Sequence, residues 1–449
     1  AIRDRSRRIP RTQFMSRQEV LEVFPDLDQR SLTGGAIFAD GQMYNAARLV
    51  LSFVKSAAQR GAAVANYVRA EGFLRDGQAV RGIRAHDCVG NNDFDIRARL
   101  VLNAAGPWAD YLLSGKSGFA NHQRGNFSRD AYFIVKRAPR SAYALALPGQ
   151  SHDRDSLVSR TARHLFIVPW REHTLIGVWH RLFAEKPSTA IIEEYELDNW
   201  LEEMNLSNPA LKLRREEICY TCCGLVPFGN NSSGPNELSF GKESRLIDHR
   251  VAHHVTGLVT LIGIRYTTAR ADSAAALDLL LQQWPGSAPA RAPTDRTPLV
   301  GGDIEDVVAL RARAMQSRPA SISAQSLDAL LSNHGTEFEA VLKRAALPQG
   351  SGKLGNSDTL RAEVSHATDS EMAIHLADVV LRRTNLGSAE HPGRLALEQA
   401  AAEMQRVAGW SEQRRQQEIQ ATEFELQRHH AVAASPSHAG VDRSAVTSP

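Results

Sequence analysis

Apolar positions in this chain change period several times, and each change marks an element. Residues 13–60 read as a helix, a turn and a second helix; in QFMSRQEVLEVFPDL Glu19 stands three residues after Ser16, the spacing of a capping box, and Pro25 closes the helix. GGAIFADGQM reads as a short strand and turn, and Tyr44 to Arg60 returns to helical spacing, ending before Gly61. Residues 62–87 alternate like strands around the turn Arg75-Asp76-Gly77. A continuous apolar strand, Leu100 to Ala104, then runs straight into Gly106. From 126 to 180 the pattern predicts strands (AYFIVKR, AYALALP, HLFIVPW and HTLIGVWH), followed by a helix in IIEEYELDNWLEEMN. Another buried strand, Leu258 to Ile262, leads through GIRYTTAR to a helix over Ala271–Leu281.

Residues 285–302, PGSAPARAPTDRTPLVGG, predict a linker. Beyond it the spacing is helical at 324–346, 357–385 and 393–427, and the small, polar end predicts disorder. Mixed strands and helices followed by helices alone give an α/β (α+β) region over 1–290, an all-α domain over 291–427 and a disordered tail over 428–449.

Composition narrows the class. With 449 residues, 43% hydrophobic and 23% charged, the chain has the make-up of a globular protein. A net charge of +3 argues against a dedicated nucleic-acid binder. Arg3, Arg5, Arg7, Arg8 and Arg11 crowd the start against Asp4 alone, a run that suits a solvated surface or an acidic lipid or nucleic acid. No apolar stretch approaches the roughly 18 residues that span a bilayer. Cys219, Cys222 and Cys223 form a C-x-x-C-C cluster, but no second Cys or His pair sits at finger-like spacing. Structural thiols in a reducing compartment are the expectation, and no metal.

Two strand-to-turn junctions carry the candidate chemistry. Leu100-Val101-Leu102-Asn103-Ala104-Ala105-Gly106-Pro107-Trp108 ends a strand in small residues, which lets a ligand approach backbone at the strand's carboxyl end; an ordinary turn reads the same way. At the second, Gly263 permits close approach, and Thr267 and Thr268 are N-cap candidates for the next helix, with Asp272 in its first turn. Helix N–H groups there would face negative charge, and Arg265 and Arg270 add donors suited to phosphate or carboxylate. Pairing of both arginines with surface acids is the alternative.

Taken in order, DGQMYNAARLVLSFVKSAAQRGAAVANYV, NAAGPWAD, HLFIVPWREHTLIGVWH, GLVTLIGIRYTTAR, VSHATDSEMAIHLADVVLRRTNLG and QAAAEMQRVAGWSEQRRQQEIQ resemble the FAD-dependent glycerol-3-phosphate dehydrogenase family, across about residues 13–427. The resemblance implies a glutathione-reductase-like, DAO-type flavin fold with an interleaved β-rich substrate domain and a helical cap. It places Ala104, Gly106 and Trp108 near FAD, Val68 by the adenine, and Gly263, Tyr266, Thr267 and Thr268 along the isoalloxazine ring. The helix N-terminus would face the N1/C2 edge, where reduced flavin carries negative charge. Arg245 and Arg265 fall at positions that hold substrate phosphate. The implied reaction takes a hydride from sn-glycerol 3-phosphate to flavin N5, leaves dihydroxyacetone phosphate and passes electrons to a quinone. A cytoplasmic protein, peripheral at the inner face of the plasma membrane and homodimeric, is the matching expectation.

This chain departs from that family in four ways. No G-x-G-x-x-G follows an N-terminal strand, so the expectation is a fragment, a truncated product or half of a split protein. Arg265 stands where the family has lysine, and Val226 where it has a phosphate-binding arginine. Tyr132 replaces an expected histidine, and His180 an acidic residue. These changes gather on the substrate side, which leaves open a different hydroxyl or amine substrate, or a non-catalytic binding and assembly role.

Overall fold

The computed structural model describes residues 9–429, apart from 31, 116–118, 120, 121, 123, 150–163, 229–242, 285, 287–291 and 349. The basic run at Arg3–Arg8 and nearly all of the predicted tail lie outside the described residues.

The chain opens with a two-stranded antiparallel ribbon, β1 (Gln13–Ser16) and β2 (Gly34–Ile37), with α1 (Arg17–Val23) between them. Residues 13–16 are therefore strand rather than helix. Ser16 is the N-cap: its hydroxyl accepts from Glu19 N, and the Glu19 carboxylate accepts from Ser16 N at 2.7 Å. The following α2 (Ala46–Gln59) is a helix as predicted, yet it turns its polar side inward. Arg48 and Ser56 are buried, whereas Val50, Phe53 and Val54 are 42, 41 and 36% exposed.

Three strands, β3 (Val68–Asp76), β4 (Ala79–Asp87) and β5 (Asn92–Arg97), form an antiparallel sheet with Gly77 at the first turn. A separate small sheet joins β6 (Val101–Asn103), which leads into α3 (Ala109–Ser114), to two later strands described below.

The five-stranded substrate-side sheet comprises β7 (Asn126–Val135), β8 (Leu145–Pro148), β9 (His164–Trp170), β10 (His173–Phe183) and β11 (Ile218–Phe228), in the order β11-β7-β10-β9-β8. Strand alternation splits its residues between two faces. Ala131, Phe133, Val135 and Trp179 pack on α4 (Glu194–Ser207) through Leu197, Trp200, Leu201 and Met204. The Trp179 and Trp200 rings stack at 4.6 Å, and Trp179 Nε1 donates to Glu203 Oε2 at 2.9 Å, so the buried indole keeps its hydrogen bond. An irregularity between Gly177 and Trp179 puts Trp179 opposite Ala131 and His180 opposite Asp130. His180, Asp130, Tyr132 and Cys222 therefore belong to the other face.

The small sheet is completed by β12 (Arg245–Asp248), α5 (His249–His253) and β13 (Leu258–Ile262), which runs into α6 (Tyr266–Leu281). β13 lies antiparallel to β12 and parallel to β6. All five residues of β13 are buried, as their continuous apolar run requires.

The C-terminal region is helical: α7 (Val307–Gln316), α8 (Ala324–His334), α9 (Phe338–Ala345), α10 (Arg361–Ser370), α11 (Leu376–Asp378), a π-helical turn over Val379–Arg383, α12 (Arg394–Ala408) and α13 (Glu412–Gln427). α7 falls where no helix was predicted, and the expected 357–385 and 393–427 are each broken in two. Two apolar clusters fill it, one around Val364, Leu397 and Met404, the other around Leu327, Val341 and Leu360. Ionic contacts fasten α2 to this cap. Arg48 Nη1 meets Glu371 Oε2 at 2.5 Å, and Lys55 Nζ reaches Glu337 at 2.5 Å and Glu371 at 3.2 Å.

Candidate flavin and substrate site

β6 and β13 run side by side with Thr260 opposite Asn103, so their carboxyl ends open at one place. Asn103, buried, donates through Nδ2 to Ala109 O at 3.2 Å and Thr260 Oγ1 at 3.3 Å, fixing the turn that follows β6. Thr260 then has its own proton to offer His249 Nε2, 3.0 Å away, which leaves His249 Nδ1–H directed at His253 Nδ1, also 3.0 Å away. Burial, with His253 and His122 nearby, pushes the His249 pKa down to about 3, in keeping with a neutral ring.

Gly106 takes a positive φ of 55° to open the short 3-10 turn Gly106–Trp108, and an added Cβ there would meet nothing within 4 Å. Gly263, one residue past β13, is equally open. The α6 helix begins at Tyr266 rather than Ala271. Its N-cap is Arg265, which makes no side-chain cap bond, so Thr267 and Thr268 are first-turn residues and not caps. Thr268 Oγ1 bonds to Arg265 O and Asp272 Oδ2 instead, and Asp272 lies beyond the first turn. The initial N–H groups of α6 are thus left for a ligand. Trp108 and Tyr266 flank the opening, 52 and 46% exposed. The structure therefore brings Ala104, Gly106, Trp108, Gly263, Tyr266, Thr267 and Thr268 to adjacent strand ends. Val68 is elsewhere, at the start of β3 opposite Asp87.

The two candidate arginines differ. Arg265 is exposed, with no acidic partner among the described residues. Arg245 is committed: its Nη1 donates to Asp110 Oδ2 at 2.7 Å. Asp110 also accepts from His122 Nε2 at 2.8 Å and Gly125 N at 2.9 Å. A Cβ at position 125 would come within 2.1 Å of Arg245 Nη1, so any other residue there would push the guanidinium out of this position. Burial raises the Asp110 pKa, but the bonds from His122, Arg245 and Gly125 N–H outweigh it and hold the group at about 2. Sequence reasoning missed Asp110 and His122; the Asp that closes NAAGPWAD was a signal in plain view.

Asp110 titrates at about 2 in the fold against an ordinary 3.8, so its contribution to stability is complete above 3.8 and disappears as pH falls through 2. Asp110→Asn is expected to remove that portion of the acid dependence. Urea unfolding midpoints measured between pH 5 and pH 2 would show a shallower fall in the variant, and parallel curves would contradict the assignment.

On the face of the five-stranded sheet away from α4, Ser128 Oγ donates to Asp130 Oδ1 at 2.6 Å and His180 Nδ1 bonds the same oxygen at 2.9 Å. Next to them, burial and the neighbouring Cys222 push the Tyr132 pKa far above its usual range. Tyr132 therefore keeps its proton and acts as a hydrogen-bond donor, not a base. Burial likewise raises Cys219, to about 12, and Cys223, to about 11, so these thiols are protonated at neutral pH.

His334, His366 and Glu371 gather ligand atoms within 4.8 Å in the buried cap. Arg48 Nη2 lies 2.9 Å from His334 Nδ1 and can only donate, so the His334 proton sits on Nε2 and that nitrogen has no lone pair for a metal. The same guanidinium occupies Glu371 Oε2. This cluster is a joint between α2 and the cap.

A strand-end site of parallel β6 and β13, a separate β-sheet beside it and a helical cap define a flavin oxidoreductase of the DAO type. The chain belongs to the FAD dependent oxidoreductase family, which matches residues 1–264; residues 292–415 match the C-terminal domain of alpha-glycerophosphate oxidase. A glycerol-3-phosphate dehydrogenase of Synechocystis sp. is 26% identical over 427 residues, covering 92% of this chain and 74% of that protein. One from Mycobacterium leprae is 26% identical over 464 residues, covering 98% and 72%. In fold, the chain is similar to the glycerol-3-phosphate dehydrogenase from Bacillus halodurans solved with FAD, at TM-score 0.74 and 22% identity, over 94% of this chain and 81% of that one.

The open glycines and uncapped α6 fit the ring end of FAD. The pyrophosphate end is another matter. The spacing G-x-G-x-x-G occurs at Gly350, Gly352 and Gly355, but between α9 and α10, not between a strand and a helix. β6 pairs on one side only among the described residues, and its Leu102 is 39% exposed, unusual for a parallel pair.

Proposed function

We propose that this flavoprotein oxidises sn-glycerol 3-phosphate to dihydroxyacetone phosphate and passes the electrons to a quinone at a membrane surface. The observation that carries the reading is the uncapped N-terminus of α6 beside Arg265, which has no acidic partner among the described residues, at the mouth of β6 and β13. Bound FAD supplies the hydride acceptor. The chain's own groups do the rest: the α6 N–H groups face the ring edge where negative charge develops, and Arg265 holds the phosphate. Tyr132, protonated, donates to the substrate oxygen. The hydroxyl proton goes to His180, whose ring Asp130 orients through Nδ1. The names of the relatives and the matched cap support the substrate, and the family resemblance supports the quinone, the peripheral membrane position and a homodimer.

A second reading rests on Tyr132. A donor in place of a base suits a neutral amine, whose own lone pair assists departure of the hydride, and it makes an amine or another hydroxyl compound the alternative substrate. The experiment is anaerobic mixing of FAD-loaded protein with sn-glycerol 3-phosphate, glycerol, or glycine. Bleaching of the flavin by the first alone is the expected result. Bleaching by glycine alone would replace it with the amine reading, and no bleaching by any, with FAD bound, would leave a binding role.

A further inference from the structure

Arg171 occupies the two-residue turn between β9 and β10, where Trp170 pairs with His173. Its φ is 55°, in the left-handed region. Such turns favour Gly, Asn or Asp, and another L-residue there costs about 1–2 kcal/mol. A violated local rule of this kind points to a site with another purpose.

The surroundings supply one. The guanidinium lies between two rings, 4.1 Å from the Trp170 centroid and 4.6 Å from that of Tyr44. Nη1 donates to Ser388 Oγ and Nη2 to Tyr44 O, each at 2.8 Å. Neither acceptor is charged, and among the described residues no carboxylate pairs with this cation. Among the described residues its buried Nε–H has no acceptor, and the buried Nδ1 of His173, across the same turn, has no partner either. Burial pulls the Arg171 pKa down to about 10, and the charges that oppose this are tyrosine hydroxyls, Tyr44, Tyr132 and Tyr220. A half-buried guanidinium whose hydrogen bonds all go to neutral groups is a costly arrangement, and it becomes more favourable once an anion sits on it.

We propose that Arg171 is the centre of an oxyanion site, specific for a phosphate group, at the junction of the substrate-side sheet, the segment before α2 and the cap. A guanidinium fork matches phosphate oxygens, and here the donors for one would be the Nε–H and the Nη2 hydrogen that Tyr44 O does not take. The ring sandwich holds that edge fixed before the anion arrives. The site draws on three parts of the chain through Arg171, Tyr44 and Ser388, so phosphate bound there fastens them together. Free phosphate and a phosphorylated substrate share this chemistry.

Calorimetric titration of the full chain with inorganic phosphate, sn-glycerol 3-phosphate, glycerol and acetate tests it, using wild type, Arg171→Met, Arg171→Lys and Arg265→Met. Inorganic phosphate is expected still to bind Arg265→Met, through Arg171, and to lose at least tenfold in affinity at this second site in Arg171→Met, which keeps only the contact assigned to Arg265. Arg171→Lys keeps the charge but loses the fork, so it is expected to be weakened too, and it serves if the methionine variant fails to fold. Tighter binding of sn-glycerol 3-phosphate than of phosphate, lost in Arg171→Met, assigns the site to the substrate; equal binding assigns it to the free ion. Wild-type phosphate affinity in both Arg171 variants, no phosphate binding by wild type, or acetate binding as tightly as phosphate would each overturn the proposal. Flavin bleaching is a separate readout, so failure of the proposed reaction leaves this result standing, and the reverse holds too.

Discussion

Arg48→Met is expected to lower the unfolding free energy by about 3–5 kcal/mol, the range for stripping one partner from a buried ion pair. The Arg48 and Glu371 side chains are only 4 and 1% exposed, and they meet at 2.5 Å. Arg48 also donates from Nε to Asn333 O at 3.1 Å and contacts His334, so its loss orphans several cap groups at once. Lys55 still reaches Glu371 Oε1, which places the expectation toward the lower end of the range. Burial pulls the Glu371 pKa up, but the His366 ring nitrogen 3.4 Å away and the charge and hydrogen bond of Arg48 hold it well below the usual carboxylate range. The pair therefore stabilises at neutral pH, and its contribution fades as pH falls. The gap between variant and wild type should narrow on acidification. Adding Glu371→Gln to Arg48→Met should recover part of the loss, because no unpaired charge remains. Urea denaturation measures all three, and a loss below about 1 kcal/mol for Arg48→Met would mean the joint is not where α2 is held.

That joint shows where sequence reading stops. The spacing of Tyr44 to Arg60 gave the helix, and a reading by spacing alone puts apolar residues such as Val50, Phe53 and Val54 no further out than Arg48 or Ser56. The structure buries Arg48 and Ser56 instead, because their partners, Glu371 and the Val300 N–H, lie hundreds of residues away. Periodicity reports a stripe; it does not report what faces the stripe. The same limit applies at the site. The strands ending at Asn103 and Ile262 were legible because continuous apolar runs meeting glycine are a local signal. Thr267 and Thr268 read as caps because hydroxyls favour that position, yet the helix starts earlier, at Tyr266, and Arg265 takes the N-cap with a bare backbone. The Asp110–Arg245 pair spans 135 positions and no spacing rule could announce it. Arg171 was equally hidden: its turn is short and polar, and the absence of a counter-charge among the described residues is visible only in three dimensions. The resemblance to a family carried the reading across these gaps, and the matches over 1–264 and 292–415 bear it out.

Arg265→Ala is expected to raise KM for sn-glycerol 3-phosphate by about 30- to 1000-fold, the equivalent of about 2–4 kcal/mol for one charge-assisted partner. Flavin retention should stay near that of wild type. The reason lies in the cap geometry: Arg265 contributes backbone but no side-chain bond to the start of α6, so alanine leaves the Tyr266, Thr267 and Thr268 N–H groups as they were. Arg265→Lys keeps a cation but loses the fork, and its KM should fall between the two. Arg245→Ala is the instructive contrast. It removes the Nη1 donor at 2.7 Å from a fully buried Asp110 and leaves His122 and Gly125 N–H to hold that charge, so its first effect should be on stability. If Arg245 holds phosphate as well, its KM effect persists after the comparison is restricted to temperatures at which the variant is folded. An unchanged KM in Arg265→Ala, with flavin bound, would remove Arg265 from the substrate and leave the uncapped helix start as a flavin contact alone.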